Sequence, residues 1–284
     1  MNARHSLFLA SVAAALMTLS FAPSPVWAYY VETEGSATVR GGNGPVLDQS
    51  EDTGPVTALS VSLPDIYLSS SDGDSVAWAD VRAGASLGLA RVHAEYYAYG
   101  AGGTSGSYGV ADATARWADY VTTTSDTLPD GAEVTYRAQI ELTGSLTEVI
   151  NGNAIGNGII RAVASGGNTY GSYYLHIEEK ENDPGVRVLL ETFTARVGNT
   201  FPISSYLYGY VGGDAIFGGS SHLTADFLTS AGFTLVCLTP GAEYTTESGV
   251  SYVPEPCATA LLAVASVGLV RRRRNTYQLA KRRS

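Results

Sequence analysis

Three groups of residues in this chain could do chemistry, and each has a plainer structural role as its alternative. The stretch Ser69 to Ser75 places Asp72 and Asp74 on either side of Gly73. Such a loop can wrap a hard cation with oxygen ligands. A calcium loop also needs a further ligand pair and a distal glutamate, which are missing here, so the favoured reading is a solvated turn. Residues 178–183, Glu-Glu-Lys-Glu-Asn-Asp, read likewise as a charged hairpin tip. His93, His176 and His222 each stand singly in a strand-like pattern, with no H-x-H or H-E-x-x-H spacing, and read as surface histidines. No metal or cofactor is expected. There is no G-x-S-x-G elbow and no phosphate-binding loop. Carboxylates are frequent enough that some pair could lie about 5–10 Å apart, as glycoside hydrolysis requires, but spacing identifies no such pair. No catalytic residue is assigned.

Tyrosines form the third group. Tyr96, Tyr97 and Tyr99, and Tyr206, Tyr208 and Tyr210, are closely spaced. Aromatic rings stack on the apolar faces of sugars, and alternating tyrosines on one strand make a flat platform. Packing in the core or over a sheet edge is the favoured alternative. Cys237 and Cys257 are the only cysteines, which excludes a C-x-x-C site. Cys237 lies in the apolar run 233–238 and reads as a buried structural thiol.

Strands must position these groups. The chain has 284 residues and is 45% hydrophobic, with 32 Gly and 18 Tyr. Aromatic and β-branched side chains suit a pleated, half-buried surface. Residues 133–142 alternate, with Val134, Tyr136, Ala138, Ile140 and Leu142 on one face and Glu133, Thr135, Arg137, Gln139 and Glu141 on the other. That period of two is the mark of a half-buried antiparallel strand. Segments 90–98, 113–121, 173–178, 186–197, 206–211, 222–228 and 233–238 behave alike. Residues 29–55 read as polar and glycine-rich, with turns at 41–45 and 51–55. Further turns are expected at 100–109, 128–131, 151–153, 165–168, 182–185 and 212–214, where Gly, Asn and Pro preset the backbone. No amphipathic helices separate the strands, which disfavours a doubly wound parallel fold. The expected class is all-β: an antiparallel β-sandwich, with the jelly roll as one form it could take. One large sandwich or two smaller ones, divided near 144–158, both fit the length.

Charge is uneven. The formal net charge is −10, but Arg4 and seven residues of the last fourteen hold much of the basic charge. Residues 29–253 carry 9 basic against 26 acidic groups, a balance of −17. So acidic a body repels nucleic acid and anionic lipid, so no nucleic-acid partner is expected.

The two ends carry the most specific patterns. A basic start, an apolar run from Leu7 to Leu19, helix-breaking Pro23 and Pro25, and small residues Val26 and Ala28 make a secretory signal peptide cleaved after Ala28. At the other end, Pro254-Glu255-Pro256 precedes an uncharged segment, 257–270, and then Arg271, Arg272, Arg273 and Arg274. As a helix that segment spans roughly 21 Å at about 1.5 Å per residue, against a bilayer core of about 30 Å. Val253 onward and snorkelling arginines add reach, and the arginines place their end in the cytoplasm.

This ending resembles the PEP-CTERM family of bacterial sorting signals, over about the last 30 residues. The resemblance implies recognition and cutting by exosortase, a membrane-embedded enzyme of Gram-negative bacteria that export exopolysaccharide. It implies a route, with anchoring in the inner membrane before processing and a cell-surface or extracellular location after it. The expected organisation is a signal peptide at 1–28, an extracellular sandwich at 29–252, a sorting and transmembrane segment at 253–274, and a basic cytoplasmic extension at 275–284. The expected function is that of a non-catalytic surface or biofilm-matrix protein associated with exopolysaccharide. A carbohydrate-binding module or a polysaccharide-active enzyme with the same address is the alternative.

Overall fold

The computed structural model describes residues 29–41, 44–54, 58–69, 76–100, 106–179 and 185–253, with side chains at all of these except 41, 44–54, 58–69, 185 and 229–230. The expected signal peptide, the Pro-Glu-Pro segment with its apolar stretch and arginines, and the Asp72–Asp74 loop lie outside the described residues. Among the described residues the regular elements are strands, and no helix is long and apolar enough to cross a membrane. The strands are β1 (Tyr30–Gly41), β2 (Gly44–Gly54), β3 (Ala58–Ser69), β4 (Val76–Ser86), β5 (Leu89–Tyr99), β6 (Ser107–Ser125), β7 (Glu133–Asn151), β8 (Ala154–Asn168), β9 (Gly171–Glu179), β10 (Gly185–Arg196), β11 (Thr200–Ala215), β12 (Ser220–Cys237) and β13 (Ala242–Thr246).

They form two antiparallel sheets packed as a sandwich. Sheet A runs β2-β1-β6-β11-β8-β9, and sheet B runs β10-β7-β12-β5-β4-β3. β13 pairs with Val121–Ser125 of β6, next to the stretch of β6 that β1 covers from Tyr108 to Ala118. β1 packs across from β3 and β4, β6 across from β5, β8 across from β7 and β12, and β9 beside β10. From β5 to β13 the chain changes sheet at every connection except the β8–β9 hairpin. The region 144–158, a possible division between two sandwiches, is instead the crossing from β7 to β8, and a single buried cluster takes side chains from both halves of the chain.

Alternation builds the core. The predicted inward sets of β5 (Ala90, Val92, Ala94, Tyr96, Ala98) and β7 (Val134, Tyr136, Ala138, Ile140, Leu142) are buried. Burying one large apolar side chain stabilises the fold by about 1.5–3 kcal/mol. One end of the core is aromatic: Trp117 stacks on Tyr252 at 5.3 Å, and Tyr136 packs on Phe193 and Phe201. We call this the tail end, because Val253 lies there. The other end holds the turns at 152–153 and 216–219.

Several expectations need correction. The polar, glycine-rich stretch from residue 29 is mostly strand, and the break expected at 51–55 begins inside β2, which runs to Gly54. β1 buries Val31, Thr33, Gly35, Ala37 and Val39 on alternate positions, and these small residues leave only a faint hydrophobic signal. The expected turn at 212–214 lies within β11; a Cβ at Gly213 would sit 2.1 Å from the Ile155 carbonyl oxygen and 2.2 Å from the Tyr96 hydroxyl. Glycine is there for close approach, and the chain turns only at Ile216–Gly219, where Phe217 takes φ 48°. Segments 222–228 and 233–238 are one strand, β12, with its register shifted between Phe227 and Ala231.

Candidate functional site

β4, β5 and β12 are neighbours in sheet B, and their register sets Trp78, Tyr97 and His222 side by side on its outward face. The Trp78 and Tyr97 rings lie 6.2 Å apart at 21°, and the His222 ring meets both edge-on, at 5.7 and 6.0 Å. The next row toward the tail end holds Asp80, Glu95 and Thr224, and the row after it Arg82, His93 and Asp226. Glu95 bonds His222 Nε2 at 2.7 Å and accepts from the Thr224 hydroxyl at 3.3 Å. His93 Nε2 lies 3.5 Å from Glu95 and 3.7 Å from Asp80, while its Nδ1 lies 3.7 Å from Asp226. Arg82 covers Asp80 at 3.0 Å, leaving that carboxylate's side chain 5% exposed against 24% for Glu95. A near-parallel pair of aromatic rings therefore adjoins a row of hydrogen-bonding groups. Rings beside hydrogen-bonding groups offer an apolar surface and polar partners to a ligand that has both.

Sequence reasoning named Tyr97 and His222 but missed Trp78. Its signal was the alternation of Ala77, Ala79, Val81 and Ala83 about it, too weakly apolar to stand out. The histidines are on the polar side of their strands, as expected, but not single: His93 and His222 share Glu95. His176 stands apart on β9, 3.9 Å from Glu178. Among the described residues no group of three or more ligand side chains is placed to hold a metal ion.

The second tyrosine group lies on the outward face of sheet A. Tyr206, Tyr208 and Tyr210 alternate along β11, which is interior to that sheet, so they neither enter the core nor cover an edge. Tyr206 and Tyr208 are 6.4 Å apart and nearly parallel. Arg116 pairs with Glu32 beside Tyr206, and Arg161 pairs with Glu178 at 2.6 Å beside Tyr208. Burial raises the hydroxyl pKa of all three, and with nearby Tyr210 and Asp214 it pushes Tyr108 up to about 12. Burial also raises the Asp112 carboxyl, which the Ser36 hydroxyl draws partly back. Of the first tyrosine group, Tyr96 is in the core, bonded to the Ser221 hydroxyl.

Asp119 was also missed. It interrupts the apolar face of β6 between Trp117 and Val121 and is fully buried. It accepts from the Tyr252 hydroxyl at 2.8 Å, the Tyr120 N–H at 2.7 Å, the Ser248 N–H at 3.3 Å and the Ser248 hydroxyl. This buried carboxylate ties down the last described turn. Gly88 makes room for it, with φ 84° and a Cβ position 3.2 Å from the Tyr252 ring. Cys237 is half-exposed rather than buried, because it lines a cleft of ≈650 Å³ with Glu243, Tyr244 and Val253. Desolvation still raises its pKa, which disfavours the reactive thiolate. Of the expected charged tip, Glu178 pairs with Arg161 and Glu179 with Arg187 at 2.8 Å, and it joins two sheets rather than forming a hairpin.

No protein-family model matches the chain, and no curated protein matches it. Among solved structures it is similar to one described as TmCBM61 in complex with beta-1,4-galactotriose, at a TM-score of 0.18 and 9% identity. The match covers 51% of this chain and 70% of that one, a likeness too low to bear on the ligand of this chain.

Proposed function

We propose that this chain is an exported, non-catalytic surface or matrix protein with a jelly-roll body, and that the outward face of sheet B binds polysaccharide. The observation that carries the binding reading is the Trp78–Tyr97 ring pair beside Glu95, Thr224 and His222. The rings take the apolar face of a pyranose, and the polar row takes its hydroxyls. The balance of −17 over residues 29–253 disfavours a polyanion, so the ligand class is a neutral polysaccharide. The strand order of β5–β12 supports the jelly-roll reading, since it interleaves two four-stranded sets that alternate between sheets.

The export route rests on the two ends of the sequence: cleavage after Ala28, then recognition of Pro254-Glu255-Pro256 and the arginines at 271–274 by exosortase at the inner membrane. Intact-mass measurement on protein from the native host tests the route. A C-terminus near Pro254 to Cys257 that requires exosortase supports it; an intact Ser284 with and without the enzyme sinks it. Retention on the host's own exopolysaccharide tests the body. Wild type is retained and W78A/Y97A is not; equal retention of both overturns the assigned face. Release of reducing sugar by the wild type would make the body an enzyme instead.

A further inference from the structure

Strand β10 is an edge of sheet B. β7 pairs with one side of it, and no described strand pairs with the other. Alternate backbone groups on that side have no ladder partner there, which makes the edge a template for another strand. On it Val186, Val188, Leu189 and Leu190 are 55%, 46%, 39% and 59% exposed. The edges β2, β3 and β9 carry residues that discourage such pairing. β2 contains Pro45, Asp48, Glu51 and Asp52; β3 has Pro64 and Asp65 at its register shift; β9 has His176, Glu178 and Glu179. Between 186 and 190, β10 has one charge, Arg187, no proline, and unbroken register with β7.

We infer that β10 docks a second copy of this chain, the two β10 strands pairing antiparallel about Leu189. A two-fold arrangement sets each residue against a fixed partner. Centred on Leu189, it places Val188 of one copy against Leu190 of the other, and Arg187 against Glu191. Opposite charges then meet twice. Centring on Val188 would set Arg187 against Leu189, and centring on Leu190 would set Glu191 against Leu189. Both side chains already have a partner on β9, Arg187 in Glu179 at 2.8 Å and Glu191 in the Tyr174 N–H at 3.1 Å, and the pairing adds a second partner to each. Tyr174 on neighbouring β9 and Tyr170 in the turn before it, 64% and 47% exposed, widen the strip. The union joins two six-stranded sheets edge to edge and leaves both Trp78–Tyr97 rows on the same side.

Sedimentation velocity of the full-length chain in neutral detergent tests this, with Cys237 and Cys257 changed to serine throughout. The parent is expected to be a concentration-dependent dimer. V188K/L190K is expected to be a monomer with unchanged near-ultraviolet circular dichroism. L189C is expected to form a disulfide-linked dimer on oxidation, which the parent cannot, and this cross-link decides the matter if the lysine variant fails to fold. A monomeric parent at every concentration overturns the proposal. So does a dimer that survives V188K/L190K and leaves L189C uncross-linked.

Discussion

The two outward faces of the sandwich carry similar aromatic side chains arranged for different ends. On sheet A the rings follow one interior strand, and arginine–carboxylate pairs stand on both sides of them. Arginine keeps its charge at any ordinary pH, so that compensation is permanent. Burial dominates the tyrosine hydroxyls there. On sheet B the rings cross three strands, and the neighbouring carboxylates face histidines with a single arginine, Arg82. Histidine carries charge only when protonated. The sheet A rings act as a lid over their own strands. In the proposed reading, the sheet B row is the one that meets something outside the protein.

Substitutions can break or sharpen that contrast. The largest expected effect is on sheet B: W78A should weaken polysaccharide retention at least roughly tenfold, about 1.4 kcal/mol, while Y208A should leave it nearly unchanged. Affinity electrophoresis reads both, and an equal loss from the two variants would erase the distinction. The reverse holds for stability. Y208A removes a half-buried ring from its lid and should cost about 1–3 kcal/mol in urea unfolding, whereas W78A should cost less. The smallest effect concerns pH. A carboxyl whose pKa is raised in the folded state is favoured when protonated, and that contribution is lost as pH rises through the folded pKa. D112N should therefore raise the melting temperature at neutral pH, and the gain should vanish below the ordinary carboxylate range near 3.8. A gain independent of pH would mean that Asp112 carries no buried-charge penalty.

Much of the sandwich was legible because large apolar residues alternate with polar ones, as in β5 and β7. β1 and β4 were not, since Gly35, Ala37, Ala77, Ala79 and Ala83 face inward and a small inward residue gives little contrast. Turn residues misled at Gly212 and Gly213: Gly213 admits the Tyr96 hydroxyl and the Ile155 carbonyl, and Gly212 admits the Tyr210 ring and Val110. The site was legible only in part. Tyr97 and His222 could be named singly, but their meeting with Trp78 depends on pairing between β4, β5 and β12, which local pattern does not encode. Asp119 was hidden for the opposite reason: a lone carboxylate in an apolar face looks like an error of period until its donors, some 130 positions later, fold onto it.

One feature of β6 bears on mechanics. β1 begins opposite Ala118 and β13 ends opposite Val121, on the same side of the same strand. The first and last strands of the body therefore start and finish at adjacent points of β6, while Trp78 and Tyr97 stand toward the opposite pole. Tyr97 lies eight positions along β5 from Leu89 at the tail end, roughly 26 Å at about 3.3 Å per residue. A pull on the chain beyond Val253 would first load Tyr252, wedged between Trp117 and Phe233 and tied to Asp119. That plug, with the backbone bonds of Tyr252 to Leu235 and to the Tyr244 hydroxyl, then stands between tension at the base and the strands that carry the aromatic row. Were the chain anchored beyond Val253, as the proposed route has it, the body would hold its distal face presented under drag until the plug gives way.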